Sequence, residues 1–280
     1  ISGSKAAEPM ISAARHAVFP KGKRIRPLLS LFLCRDAGGE VERLLPAALS
    51  LELLHCASLV HDDLPALDND DFRRGRPSCH KAYGEATAVL TGDFLIALSQ
   101  KIILTAPLPE KVVLEQASLV AESFIRICNG QQLDLQHGKD RAPLAQIHSE
   151  KTGALFETAC RVALLATEAG QAVVDAAGAF GLSLGLLFQI IDDYVDIFGS
   201  SKERGKPVSS DLKNKKETFF NCRSREDGFK AYEKARRESL SMLDELVLLV
   251  KPGALFSGTR FVVEQVCARM GEDTIAGLKT

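Results

Sequence analysis

Two separated clusters of aspartates have a spacing that could hold divalent cations. The first cluster follows an apolar stretch and contains Asp62, Asp63, Asp68, Asp70 and Asp71. Like charges at the end of an apolar helix repel one another, and their burial is unfavourable. Hard cations would relieve that repulsion, and Mg²⁺ usually combines one or two carboxylates with substrate phosphates. For a single cluster of this kind, a solvated charged loop is the alternative.

The second cluster lies far along the chain, at Asp192, Asp193 and Asp196. On a helix these positions fall at about 0°, 100° and 40°, so they share one narrow face. The flanking residues are apolar, so the carboxylates interrupt an otherwise buried helix. Two such faces can share a metal cluster, which favours a metal site over a solvated loop.

Basic residues next to the acidic clusters suit phosphate groups. Arg73, Arg74 and Arg76 directly follow the first cluster, and Lys23 and Arg26 precede it. Arginine binds phosphate through bidentate contacts. One basic cluster is more often a solvated face, but several beside acidic motifs predict a small polyphosphate ligand.

Composition and charge narrow the class of protein. The chain has 280 residues, is 46% hydrophobic and has a formal net charge of −1. This predicts one domain over residues 1–280 and gives no general basic field for nucleic acid. The seven cysteines include no CxxC pair, which argues against disulfides and zinc and predicts a reducing, cytoplasmic setting. The longest uncharged run, 176–191, is shorter than the roughly 20 residues that cross a bilayer, so no membrane span is predicted.

The apolar spacing is helical nearly throughout, which predicts an all-α fold. Helices are predicted at 9–18, 27–37, 41–63, 85–104, 110–128, 171–198, 224–250 and 253–270, with a further helix that Pro143 opens and that carries Lys151. Pro65 must end or distort the third of these helices. On a straight helix Asp68 would lie about 240° from Asp62, so the two could not share a metal.

Three glycines, Gly178, Gly181 and Gly185, share one face of the predicted 171–198 helix. Such a face allows another helix to approach closely, or it lines a cavity. Close packing is the favoured interpretation.

These motifs together resemble the trans-prenyl diphosphate synthase family, whose members join isoprenoid diphosphates head to tail. The resemblance rests on the sequence His61-Asp62-Asp63-Leu64-Pro65 with Asp68, on Arg73-Arg74-Gly75, and on Asp192-Asp193-Tyr194-Val195-Asp196. It covers most of the chain, from residue 20 to about 220. It implies an isoprenoid-synthase-type helical bundle around a central cavity, with the two aspartate helices facing each other across its mouth, and a homodimer.

The resemblance also implies a role for each motif residue. Three Mg²⁺ would be held by Asp62, Asp63, Asp68, Asp192, Asp193 and Asp196, and would bind the diphosphate of the allylic substrate. Further charge on that diphosphate would come from Arg73, Lys151 with its neighbour Thr152, Lys206 and Lys216. The second substrate, isopentenyl diphosphate, would be held by Lys23, Arg26, His55 and Arg74. Gln189 would steady the allylic cation. Where the family has glycine and often lysine before Asp211, this chain has Ser209 and Ser210.

Product length is predicted from residues just before the first aspartate. Family members that stop at farnesyl diphosphate (C15) often have an aromatic residue five positions before it, where this chain has Ala57 followed by Ser58. Neither side chain can form a floor, and Leu54 is a turn deeper, which predicts geranylgeranyl diphosphate (C20). Two alternatives remain open: Ala57 only packs against a neighbouring helix, or Phe94 or Phe124 closes the cavity.

Three other functions are weighed against this one. A class I terpene cyclase would normally replace the second aspartate cluster with an Asn-Ser-Glu type motif. A metal phosphohydrolase could use His61 with Asp62, but the second cluster and the arginines would be unexplained. A non-catalytic synthase subunit would typically have lost metal-binding aspartates, and none is missing here.

Overall fold

The computed structural model of this chain describes residues 7–20, 22–136, 142–198, 218–220, 225–251 and 253–270. The helices in this part of the chain are α1 Glu8–Val18, α2 Ile25–Asp36, α3 Val41–Asp62, α4 Cys79–Tyr83, α5 Glu85–Ile103, α6 Glu110–Asp134, α7 Leu144–His148, α8 Ala154–Leu165, α9 Gln171–Phe198, α10 Arg225–Val250 and α11 Ser257–Cys267. A π-helical turn, Ser149–Gly153, joins α7 to α8, and a 3₁₀ turn, Ala268–Met270, follows α11. Strands β1 (Phe72–Arg73) and β2 (Arg76–Pro77) form a small antiparallel hairpin. The all-α prediction is confirmed.

The aspartate-bearing helices α3 and α9 lie in the interior, and each buries side chains from several sides. The main core runs through α2, α3, α8, α9 and α10, and includes Leu54, Phe156, Phe180 and Leu187. Burial on several sides explains why both helices are apolar around most of their circumference.

Pro65 has the effect that the sequence predicted. Helix α3 ends at Asp62, and the chain then turns so that the Asp68 amide donates to the Asp62 carbonyl at 2.8 Å. Asn69 completes the turn with a φ of 51°, in the left-handed region that asparagine tolerates. The two aspartates are therefore close together, although five residues lie between them in the sequence.

The glycine face of α9 is closely packed, as predicted. A Cβ at Gly181 would lie 2.5 Å from the Phe156 carbonyl oxygen, and one at Gly185 would lie 2.7 Å from the Gly153 Cα. The backbone of helix α9 thus packs closely against the π-helical turn and α8.

Three predicted helices differ from the structure, and one of them, predicted at 253–270, is the shorter α11, which begins at Ser257. The predicted end of a helix at residue 128 is wrong, because α6 continues to Asp134 and Gly130 allows the backbone of Lys151 to pass close by. The helix that Pro143 opens is broken into α7, the π-helical turn and α8. A π-helical turn disturbs the regular ladder of hydrogen bonds and often marks a functional site.

Three helices, α3, α5 and α9, are long and apolar enough to cross a membrane, by length and composition alone. The apolar segments of α3 and α9 are 61% and 56% buried inside the protein, whereas that of α5 is only 33% buried. Burial in the bundle accounts for the apolar character of α3 and α9, and α5 keeps an uncovered side.

Candidate active site

The two neighbouring aspartates of α3 face different ways. Consecutive residues of a helix point about 100° apart, so the Asp62 and Asp63 side chains leave the end of α3 in different directions. Asp63 is 2% exposed and pairs with Arg73 of the hairpin, whose Nε lies 3.0 Å from Asp63 Oδ1. Arg73 also contacts Asp70 at 3.1 Å. Burial by itself would lower the pKa of the Arg73 guanidinium, but Asp63 and Asp70 raise that pKa above its ordinary value. Asp63 therefore fastens the hairpin to α3, a role that the sequence did not predict.

Asp62 and Asp68 remain as the metal-ligand candidates of the first cluster. The turn after α3 brings them together, and the Gln131 amide of α6 donates to Asp68 Oδ1 at 3.4 Å. Both side chains are only partly buried. They offer the hard oxygen donors that Mg²⁺ requires.

The two neighbouring aspartates of α9 likewise differ in burial and in their partners. Asp193 is 3% exposed and accepts hydrogen bonds from Gln189 Nε2 (2.8 Å) and from the Phe219 amide (3.0 Å). The Asp192 side chain is 49% exposed and pairs with Arg269 at 2.5 Å. Of the two, Asp192 is the more accessible to a metal.

The carboxylate oxygens of this site suit Mg²⁺ when a bound ligand fills the remaining coordination positions. Within the described ranges, no three acidic, histidine or cysteine side chains converge into a metal cage. Mg²⁺ rarely needs such a cage, because substrate phosphates and water complete its octahedron. Asp62, Asp68 and Asp192, which are only partly buried, would hold it, whereas Asp63 and Asp193 are buried.

The π-helical turn carries Lys151 and Thr152 into this region. Lys151 Nζ lies 2.9 Å from Asp134 Oδ2, and Thr152 Oγ1 donates to Gln189 Oε1 at 2.6 Å. Because Gln189 also donates to Asp193, both ends of its amide are fixed by hydrogen bonds. The prediction that Thr152 and Gln189 belong to one site agrees with this geometry.

A cluster of basic side chains forms a second part of the site, and we call Arg26, His55 and Arg74 the arginine cluster. Arg26 Nη1 lies 3.5 Å from His55 Nε2, and Arg74 Nη2 lies 3.7 Å from Glu52 on α3. Arg26 Nε and Arg74 Nη1 are buried and have no hydrogen-bond partner in the described part of the chain. Buried donors of this kind are satisfied by water or by a ligand, and an anion with several acceptor oxygens suits them.

Burial and the charges of the arginine cluster shift the pKa values of His55 and Arg26. Burial, followed by the fields of the neighbouring arginines, holds the pKa of His55 well below its ordinary value. Burial lowers the pKa of Arg26 to about 10, although Glu52 and Asp192 oppose this shift. Arg26 keeps its charge at neutral pH, and His55 is neutral, so that Nε2 can accept from Arg26.

Arg269 is a site residue that sequence reasoning missed. It follows α11, pairs with Asp192, and places its guanidinium 4.7 Å from the centre of the Phe188 ring. Arg26 lies 5.8 Å from the same ring. No motif surrounds Arg269 in the sequence, so only the fold brings it to the site.

Lys206 and Lys216 fall outside the described residues, and Lys23 is exposed in the segment before α2. Ala57 is completely buried in a small cluster with Leu53 and Leu95. The alternative that Ala57 packs against neighbouring helices thus agrees with its surroundings. Leu54 belongs to the main core, and Ser58 Oγ donates back to the His55 carbonyl at 2.9 Å.

Comparison with known proteins agrees with this geometry. A family profile described as "Polyprenyl synthetase" matches residues 8–245. The chain belongs to this family. It is 38% identical over 248 residues to a geranylgeranyl diphosphate synthase of Cyanophora paradoxa, covering 84% of this chain and 83% of that protein. It is 34% identical over 246 residues to a farnesyl diphosphate synthase of Escherichia coli, covering 85% and 80%.

The fold of this chain is also similar to that of a relative with a crystal structure. A Helicobacter pylori geranyltransferase, whose crystal structure contains magnesium and isoprenyl diphosphate, superposes with a TM-score of 0.82 at 28% identity, covering 95% of this chain and 89% of that one. Use of Mg²⁺ is therefore a property of the polyprenyl synthetase family, and the family is one of prenyltransferases.

Asp63→Asn should destabilise the fold, whereas Asp62→Asn should not. Asp63→Asn leaves Arg73 without its main partner. The free energy of unfolding should fall by about 2 kcal/mol, less than the ~3–5 kcal/mol for a fully buried pair, because Arg73 keeps Asp70 and is partly exposed. Asp62 ends a helix, where a negative charge is unfavourable. Urea unfolding of both variants measures this; equal stability of Asp63→Asn and wild type would contradict the anchoring role.

His55→Gln should make stability less sensitive to acid. Because the folded pKa is lowered, the unfolded chain binds the proton first, near pH 6.5. The contribution of neutral His55 is complete above that pH and is lost as the pH falls towards the folded pKa. Urea unfolding at pH 7 and pH 5 should show a smaller drop for the variant than for wild type, and an equal drop would be inconsistent with a neutral His55.

Proposed function

We propose that this enzyme condenses isopentenyl diphosphate with an allylic diphosphate, head to tail, and releases geranylgeranyl diphosphate as its main product. The observation that carries this proposal is the presence of two groups of side chains of opposite charge, each of which we infer to bind a diphosphate. One is made of carboxylates, Asp62, Asp68 and Asp192, and needs metal to bind an anion. The other is the arginine cluster, which binds an anion directly. A reaction between two diphosphates needs both.

The carboxylates determine where the allylic diphosphate lies. Three Mg²⁺, bound with that diphosphate, would supply the positive charge that stabilises it as it leaves. Lys151 is held beside this position by Asp134. The Lys206 and Lys216 side chains are proposed to add further charge to the same group.

The residues around Gln189 act on the allylic carbon chain. Thr152 and Asp193 fix the Gln189 amide so that its oxygen is on the side of Thr152. The second lone pair of that oxygen can stabilise the positive charge that develops on the allylic carbon. The arginine cluster holds isopentenyl diphosphate so that its double bond attacks this carbon. The departing pyrophosphate then accepts the proton.

The small side chains before Asp62 support a C20 product. Ser58 is partly buried and too small to close a space along α3 as an aromatic residue would, and Ala57 is small but packed against Leu53 and Leu95. Farnesyl diphosphate is the second candidate product, because the Escherichia coli relative is a farnesyl diphosphate synthase.

Chain-length analysis tests both the activity and the product. Wild-type protein is incubated with radiolabelled isopentenyl diphosphate, dimethylallyl diphosphate and Mg²⁺, and the products are resolved by length. We expect mainly C20 from wild type and a shift to C15 in Ala57→Tyr or Ser58→Phe, with Ala57→Ser as the matched small variant. Ser58→Phe is needed because Ala57 is fully packed and its replacement strains the fold. Wild type that stops at C15 would contradict the length proposal, and no incorporation would contradict the activity.

We also propose that two chains pair through the uncovered side of α5 and α6. Leu90 and Val89 on α5, and Leu114 and Ile125 on α6, are large apolar side chains with 42% to 62% exposure. Exposed apolar surface of this kind is typical of an interface with another protein. The Val89 carbonyl also accepts from His61, so a partner that covers α5 would support the end of α3.

Light scattering tests the pairing. Wild type should have the mass of two chains, and Leu90→Glu should shift the mass towards one chain, because a charge would then be buried without a partner. Leu248→Glu, which changes an exposed leucine on α10, is the matched control and should leave the mass unchanged. A wild-type mass of one chain would contradict the proposal.

A further inference from the structure

A carboxylate lies next to the arginine cluster, where a negative charge is unfavourable for binding an anion. Glu52 occupies α3 almost one turn before His55 and is 7% exposed. It would repel a diphosphate at close range. Its position at this site therefore requires a compensating role.

We propose that Glu52 is a positioning residue for isopentenyl diphosphate. It holds Arg24 and Arg74 in place, so that Arg74 can present its guanidinium to the diphosphate. This inference rests on the proposed assignment of the arginine cluster to that substrate.

One oxygen of Glu52 joins two separate segments of the chain. Arg24 Nη1 pairs with Glu52 Oε1, and Arg74 Nη2 lies 3.7 Å from the same atom. Arg24 also donates through Nη2 to the carbonyls of Val18 and Pro20. Glu52 thus fastens both the segment before α2 and the turn of the hairpin to the rigid helix α3.

The backbone of both arginines is strained in the same way. Arg24 has a φ of 50° and Arg74 a φ of 54°, whereas residues with side chains rarely adopt positive φ. A strained conformation persists only when its surroundings enforce it, and such residues concentrate at functional sites. Glu52 is the group that both strained residues contact.

Gly22 packs against the Arg74 guanidinium. A Cβ at position 22 would lie 2.9 Å from Arg74 Cζ, so only glycine lets this segment lie flat against the guanidinium. Arg74 is therefore enclosed between Gly22 and Glu52. Nη2 is directed to Glu52, and Nη1 is buried with no partner among the described residues. Nη1 is then the nitrogen that remains for a ligand.

Steady-state kinetics of Glu52→Gln tests the proposal. The amide keeps the shape of the side chain and removes the charge that holds Arg74. The KM for isopentenyl diphosphate should rise roughly 10-fold to 100-fold, the range for residues that orient ligand-binding groups. The kcat and the KM for the allylic diphosphate should stay within about twofold, since those depend on the other site. Glu52→Asp, which keeps the charge, should recover part of the affinity.

Glu157→Gln is the matched control. Glu157 also bridges two arginines, with Arg126 Nη1 at 2.7 Å and Arg161 Nε at 3.0 Å, and its side chain is 18% exposed, against 10% for Glu52. Its loss should lower stability by a similar amount and leave both KM values unchanged. If Glu157→Gln raised the KM for isopentenyl diphosphate as much as Glu52→Gln, the effect would be one of general stability, and the proposal would be overturned.

A double-mutant cycle shows whether Glu52 acts through Arg74. Arg74→Gln alone should raise the KM for isopentenyl diphosphate, and adding Glu52→Gln to it should raise that KM little further, because the two changes remove the same interaction. Full additivity would overturn the proposal. If Arg74→Gln leaves that KM unchanged, the substrate assignment fails and the inference fails with it. If Arg74→Gln raises it and Glu52→Gln does not, only the role of Glu52 is wrong.

Gly22→Ala is a second variant that tests the proposal if the Glu52→Gln protein does not fold. This change displaces the Arg74 guanidinium and leaves every charge in place. It should raise the KM for isopentenyl diphosphate at unchanged allylic KM. An unchanged KM for isopentenyl diphosphate would show that the position of Arg74 is irrelevant to binding, which overturns the proposal.

Discussion

The pairing of buried carboxylates with partly buried arginines along α3 is the interaction on which the site depends. One side of this helix carries Glu52 and Asp63, three turns apart, which hold Arg74 and Arg73. Neighbouring positions carry His55 and Asp62, which are turned by about 100° or less from these two and are the proposed ligand-binding groups. Because unpaired buried charges are strongly unfavourable, the pairs fix the hairpin and the segment before α2 at one position.

Helix α9 follows the same principle. Asp193 is buried and holds Gln189 and the Phe219 amide, while its neighbour Asp192 stays accessible. A pair of adjacent aspartates on a helix therefore combines two tasks. One carboxylate is buried and orients the protein around the site, and the other is more exposed and is the one that we propose binds metal.

Much of the fold and of the site could be predicted from the sequence, since the signals are local. The 3.6-residue apolar period predicts most helices, Pro65 predicts the turn that joins Asp62 to Asp68, and the glycines of α9 predict close packing. The inward roles of Asp63 and Asp193 could not be predicted, because their partners come from distant segments. Arg269 has no local signal for the same reason. The π-helical turn depends on the close approach of Gly130 to Lys151, which is a tertiary contact.

The central claim is that one diphosphate binds through metal and the other through arginines. Calorimetric titration with and without excess chelator tests it most directly, with isopentenyl diphosphate as one ligand and an unreactive thiolodiphosphate analogue of the allylic substrate as the other. Removal of Mg²⁺ should weaken the allylic analogue by at least about tenfold, because the carboxylates then repel it, and should leave isopentenyl diphosphate within a few fold. If chelation lowered the affinity for both ligands equally, or for neither ligand, the division of the site would be contradicted.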